Sequence, residues 1–101
     1  MIFEKNAGVG EPDIFDRSGM WINRKGSDFE VIDVIGGGPA ASAGISVGDL
    51  ILDVDGISTE EISLPDLRRR FRSDLPGTVF HLRIKRDLSE WDLTLILEDL
   101  V

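Results

Sequence analysis

The run Gly36-Gly37-Gly38-Pro39-Ala40-Ala41-Ser42-Ala43-Gly44-Ile45-Ser46-Val47-Gly48-Asp49-Leu50-Ile51-Leu52-Asp53-Val54-Asp55-Gly56 leaves few folds open, because nearly every residue in it favours one backbone state. Pro39 suits the first turn of a helix, where its missing N–H would have had no partner and its φ is already near the helical value. Gly44 suits the position just past a helix end, where a left-handed residue stops the helix without a Cβ penalty. Leu50, Leu52 and Val54 alternate with Ile51, Asp53 and Asp55, which predicts a strand with its apolar face on the first set. Asp55-Gly56 then supplies a tight reversal. The run therefore predicts strand end, glycine turn, short helix, strand and hairpin turn.

The flanking segments extend the pattern. Met20 to Asn23 reads as a strand, Phe29 to Ile35 as a central strand with two largely apolar faces, and Ile14-Phe15 as a short first strand. Ser63 precedes Leu64-Pro65-Asp66-Leu67-Arg68-Arg69-Arg70-Phe71, with Pro65 and Asp66 in the first turn, as helix starts prefer. Leu64, Leu67, Arg68 and Phe71 share one face of that helix, and Leu75-Pro76-Gly77 ends it. Phe80, Leu82 and Ile84 alternate with Val79, His81, Arg83 and Lys85, and Trp91, Leu93, Leu95 and Leu97 with Asp92, Thr94, Ile96 and Glu98, so two further strands are expected, joined by the turn Arg86 to Glu90. Five to six short strands and two helices fit an α+β domain, a small, partly open antiparallel barrel capped by helices.

A chain of 101 residues is one domain with a single modest core. It has no cysteine, which removes disulfides, thiol catalysis and zinc–thiolate sites together and leaves the compartment open. A net charge of −8, from 19 acidic and 11 basic residues, argues against a nucleic-acid binder and against attraction to anionic membranes. No apolar run approaches the roughly 20 residues of a membrane-spanning helix, and the first ten residues lack the pattern of a signal peptide.

Catalytic and ligand motifs fail on particular residues. Gly36-Gly37-Gly38 is followed by Pro39, which has no N–H to offer a phosphate, and no Gly-Lys-Ser/Thr follows. Asp53-Val54-Asp55-Gly56 resembles part of a calcium loop, but its register puts Ile51 and Ile62 at the first and last ligand positions. His81 is the only histidine and lies beside Arg83 and Lys85 on the wetter face of a strand, so neither a multi-histidine metal site nor a triad is expected. No Asp-Thr-Gly or Asp-Ser-Gly loop is present. The expectation is a non-catalytic domain with no metal and no cofactor.

The order Gly-Gly-Pro-Ala, Ala-Gly-Ile, Val-Gly-Asp and a strand closing on Asp-Gly resembles the middle of a PDZ domain, a peptide-binding fold. The resemblance covers about Asp16 to Leu97 and implies roles for particular residues. Gly19-Met20-Trp21-Ile22 stands where the family's glycine loop holds a ligand carboxylate on consecutive main-chain amides. Trp21 replaces the loop's second glycine, and its side chain is expected to point away from the groove. The strand Met20 to Arg24, including Asn23 and Arg24, is the edge to which an extended peptide would add. Leu64 matches the helix position that selects a ligand side chain, with Arg68 and Phe71 farther along the same face; for Arg68 the alternative is a surface arginine whose stem covers Leu64.

The stretch Phe15 to Ile22, with the closing Leu95-Ile96-Leu97-Glu98-Asp99-Leu100, looks like the C-terminal PDZ module of bacterial retropepsin-like aspartyl proteases. That closer resemblance implies that residues 1–11 are a linker or the remnant of a preceding domain and 12–101 the PDZ domain, with an attached protease domain as partner. It implies capture of protein C-termini or extended strands for substrate recognition or regulation. A signal peptide on the parent would place it in the cell envelope or periplasm. The alternative is a docking or oligomerisation module whose groove is filled by its own chain or a partner subunit, with Leu100 and Val101 as candidates for self-association.

Overall fold

The computed structural model describes residues 16–99; residues 1–11, Ile14-Phe15, Leu100 and Val101 lie outside that span. The described elements are β1 (Met20–Lys25), β2 (Asp28–Val34), α1 (Pro39–Ala43), β3 (Leu50–Val54), β4 (Ile57–Ser58), a 3₁₀ turn (Thr59–Glu61), α2 (Leu64–Ser73), β5 (Val79–Arg86) and β6 (Ser89–Ile96). The strands pair antiparallel in the order β1-β2-β3-β5-β6, with the two-residue β4 hydrogen-bonded to β3. Among the described residues the result is an open six-stranded sheet with two helices, not a closed barrel.

The helix boundaries follow the local chemistry. Gly44 caps α1 in the left-handed region at φ 92°, with Pro39 in the first turn. Ser63 caps α2 by accepting from the Asp66 N–H at 3.4 Å, while Asp66 at the start and Arg70 and Arg72 in the last turn complement the helix dipole. Leu67 and Phe71 from α2 join Met20, Ile22, Phe29, Val31, Ile51, Phe80, Leu82, Ile84 and Leu95 in one core. Phe71 meets Phe80 edge to face, with ring centroids 5.1 Å apart, a favoured aromatic geometry.

Three expectations about faces are corrected. On β3 the buried residues are Ile51 and Val54, not Leu50, Leu52 and Val54. The register against β5 pairs Ile51 with Ile84 but Asp53 with Arg83, so Leu52 is an extra, bulged residue that reverses the alternation. Its carbonyl accepts from the buried Thr59 hydroxyl at 3.1 Å, which ties the bulge to the 3₁₀ turn. β2 buries only one face, since Ile32 is 40% exposed. On β6 the inward series fades toward the hairpin: Leu95 is fully buried, Leu93 partly, and Trp91 is 52% exposed. The hairpin itself is tighter than expected, because β5 runs to Arg86 and β6 starts at Ser89, with Asp87 at positive φ.

Candidate functional site

The loop before β1 is built on side chain to main chain hydrogen bonds. The Asp16 carboxylate accepts from the Ser18 N–H at 2.9 Å and from the Ser18 hydroxyl. That hydroxyl accepts in turn from the Met20 N–H at 3.3 Å, and the Gly19 N–H donates to the Asp16 carbonyl at 3.1 Å. Burial pushes the Asp16 carboxyl above its ordinary range, against the bonds from Ser18 that favour the charged form. Gly19 holds φ 73°, and a Cβ there would lie 2.9 Å from the Pro39 Cδ, so only glycine fits between the loop and α1.

β1 ends the strand order, so its outer edge has no strand partner among the described residues. The pairing fixes which main-chain groups lie on that edge. Val31 turns its N–H to the Asp49 carbonyl and its carbonyl to the Gly48 N–H, both at 2.8 Å on the β3 side. Ile22 lies opposite Val31, so its own N–H and carbonyl face outward, and alternation puts those of Arg24 on the same edge. Met20 and Ile22 send their side chains into the core, at 1% and 2% exposure.

Arg68 crosses from α2 to this edge. Its Nη2 donates to the Ile22 carbonyl at 2.6 Å and to the Asn23 Oδ1 at 2.7 Å, and its guanidinium carbon lies 4.1 Å from the centroid of the Trp21 ring. Its Nε is buried and has no hydrogen-bond partner among the described residues. The snorkelling alternative for Arg68 therefore does not describe it. Trp21, expected to point clear of the groove, supplies the plate on which this guanidinium stacks.

Two further arginines tie β1 and the loop before it to the two ends of α2. Arg17 donates from Nη1 to the Asp74 carbonyl at 2.9 Å and the Arg72 carbonyl at 3.3 Å, and its N–H bonds the Phe71 carbonyl at 3.1 Å. The loop is thereby fastened to the C-terminal end of α2. At the other end Arg24 donates to the Thr59 carbonyl at 2.9 Å and the Ile62 carbonyl at 2.6 Å, just ahead of α2, with its guanidinium over the Phe29 ring.

The structure thus gathers Trp21, Ile22, Asn23 and Arg68 at one point, while Met20 lies in the core and Gly19 in the loop before β1. Arg24 is a strut between β1 and the segment before α2. Leu64 is half-buried and packs against the core, whereas Phe71 is 1% exposed and belongs to the core itself. Sequence reasoning did not single out Arg17, or the Asp16–Ser18 pair; the Asp-x-Ser-Gly spacing was the available signal for the pair. A separate depression of about 340 Å³, lined by Asp53, His81, Arg83 and Asp92, lies beside β5 and β6 and shares none of the groove residues.

Residues 30–86, more than half of the chain, match the family model described as PDZ domain. The chain belongs to the PDZ domain family. The match runs from β2 through β5 and leaves the loop and β1 outside it. Among solved structures, this PDZ domain is similar to a serine endoprotease from Yersinia pestis, at 26% identity over 85% of this chain and 29% of that one, with TM-score 0.67. It is also similar to the HtrA-type protease AlgW with a decapeptide, at 20% identity over 81% of this chain and 29% of that one, with TM-score 0.65. A third is the HtrA3 PDZ domain bound to the phage-derived ligand FGRWV, at 21% identity over 74% of this chain and 67% of that one, with TM-score 0.59. The chain spans less than a third of the two proteases' lengths. These proteases are serine or HtrA-type enzymes, and the aspartyl protease attachment expected from the sequence has no counterpart among them. No curated protein matches the chain.

Proposed function

We propose that this PDZ domain captures an extended peptide by adding it as a strand to the outer edge of β1. At the loop Gly19-Met20-Trp21-Ile22 the peptide's end meets the outward Ile22 N–H, the Gly19 and Met20 N–H groups being bonded to Asp16 and Ser18, and Leu64 meets one of its side chains. The observation that carries the reading is the outward-facing main chain of Ile22 and Arg24 on a terminal strand beside α2. Strand addition takes affinity from main-chain hydrogen bonds and selectivity from alternate side chains, and this edge offers both. The HtrA3 domain with its bound pentapeptide, and AlgW with its decapeptide, support the same use of the fold. On this reading the ligands are protein C-termini or exposed extended segments. The catalytic chemistry belongs to an attached protease domain, of the aspartyl type by the sequence resemblance.

A library of free-C-terminus peptides tests the proposal. Saturable capture that Leu64→Asp weakens by about tenfold or more supports it, and a library with no binder removes it. A second reading is favoured by one observation: the Ile22 carbonyl is already engaged by Arg68. In that case the groove is closed in the isolated domain, and the module acts by docking or oligomerisation. A stable dimer that no peptide dissociates would establish this second role, and residues 100 and 101 would be the first to truncate.

A further inference from the structure

We infer that the groove takes an extended peptide carrying an acidic side chain, whose carboxylate draws Arg68 off the edge of β1. The inference rests on the strand-addition reading and adds the chemistry of the ligand. A strand added to β1 needs the Ile22 carbonyl for one of its own N–H groups, and Arg68 Nη2 holds that carbonyl at 2.6 Å. The incoming N–H and the guanidinium therefore compete for the same oxygen. Displacement removes the Ile22 bond in a half-buried place where, among the described residues, Nε already lacks an acceptor. A peptide without an acidic side chain, its terminal carboxylate taken up by the loop, offers only main-chain carbonyls in return, and a buried cationic donor left without a partner is unfavourable.

A ligand carboxylate resolves this. Its two oxygens can accept from Nε and Nη2 together, the two-point geometry that favours arginine over lysine. The Trp21 ring lies under the guanidinium and gives it a surface to slide across while it changes partner. Pairing also directs the acid. Ile22 sends its side chain into the core, and a peptide residue directly opposite it shares that face, toward α2 and Arg68. The chain's net charge of −8 opposes an acidic ligand at long range, but at physiological salt that field is screened beyond about 8 Å, so the contact with Arg68 decides.

The test uses acetylated hexapeptides with a free C-terminus, Ser-Ala-Ala-Ala-Leu-Val and its variants with Glu or Gln scanned through all six positions, titrated into the full chain. At one position Glu should bind about tenfold more tightly than Gln. In Arg68→Ala the difference should vanish, with the Gln peptide binding at least as well as it does to the parent chain, because the carbonyl is now free. Arg68→Lys, which keeps the charge, should retain only part of the preference. Equal binding of Glu and Gln at every position overturns the acidic preference while leaving strand addition intact. No binding of any peptide to either the parent or a folded Arg68→Ala chain overturns both, with amide spectra reporting that each variant is folded.

Discussion

Arg86 closes a two-point ion pair on Asp49, donating from Nε at 2.8 Å and from Nη2 at 2.7 Å to a carboxylate whose side chain is 2% exposed. The Ser46 N–H adds a bond at 2.9 Å, and Arg86 Nη2 also reaches the Gly44 carbonyl at 2.7 Å, so the pair joins the end of α1, the start of β3 and the end of β5. Burial by itself would raise the Asp49 pKa. The bonds from Arg86 and Ser46 outweigh it and hold the carboxyl below its ordinary range. Asp49 therefore contributes stability that is present above the usual carboxylate pKa of about 4 and is lost as pH falls through and below that value. Urea unfolding between neutral pH and pH 3 should show this acid loss. Arg86→Met should lower the midpoint at neutral pH and abolish the acid loss, because burial then raises the Asp49 pKa instead. Asp49→Asn in the same chain should restore part of the midpoint.

Gly19→Ala should destabilise the domain by about 1–3 kcal/mol, from a strained left-handed residue and a Cβ driven onto Pro39. Thermal and chemical unfolding check this. A change within error would mean that the loop and α1 separate more readily than their contact implies.

Phe71→Ala should cost about 3–5 kcal/mol, the usual range for removing a fully buried aromatic ring. Leu64→Ala should cost only about 1 kcal/mol at its half-buried position while weakening peptide capture. Denaturant midpoints measured beside peptide affinities separate the two. Leu64, not Phe71, is therefore the position at which binding can be probed without unfolding the core.

Arg24→Ala removes two hydrogen bonds to carbonyls ahead of α2 and should cost about 1–3 kcal/mol. Hydrogen exchange should quicken at Ile62 and in the first turn of α2 more than at the β5–β6 hairpin. Uniform acceleration would assign Arg24 a global role in place of that of a local strut.

Much of this architecture is legible in the chain because the signals are local. Pro39 and Gly44 bracket α1, Ser63 starts α2, and Asp55-Gly56 turns β3 into β4, with both turn residues at positive φ. What was not legible depends on pairing. The bulge at Leu52 reverses which residues of β3 face inward, and it is stabilised by Thr59 and by the register against β5, neither of which alternation contains. The same limit applies at the groove. Arg68 was identified on the right helical face, but its bonds to Ile22 and Asn23 and its stacking on Trp21 join residues far apart in sequence, and so do the bonds of Arg17 to the end of α2.

The most direct measurement follows the main-chain amides of the labelled chain by NMR while a peptide selected from the library is titrated in. Strand addition predicts that the Ile22 and Arg24 amides shift and gain protection from exchange, that the Trp21 and Arg68 side-chain signals move with them, and that the β6 edge stays unchanged. Saturable binding with the changes confined to β6 or to the surface around His81 and Arg83, and β1 silent, would contradict it.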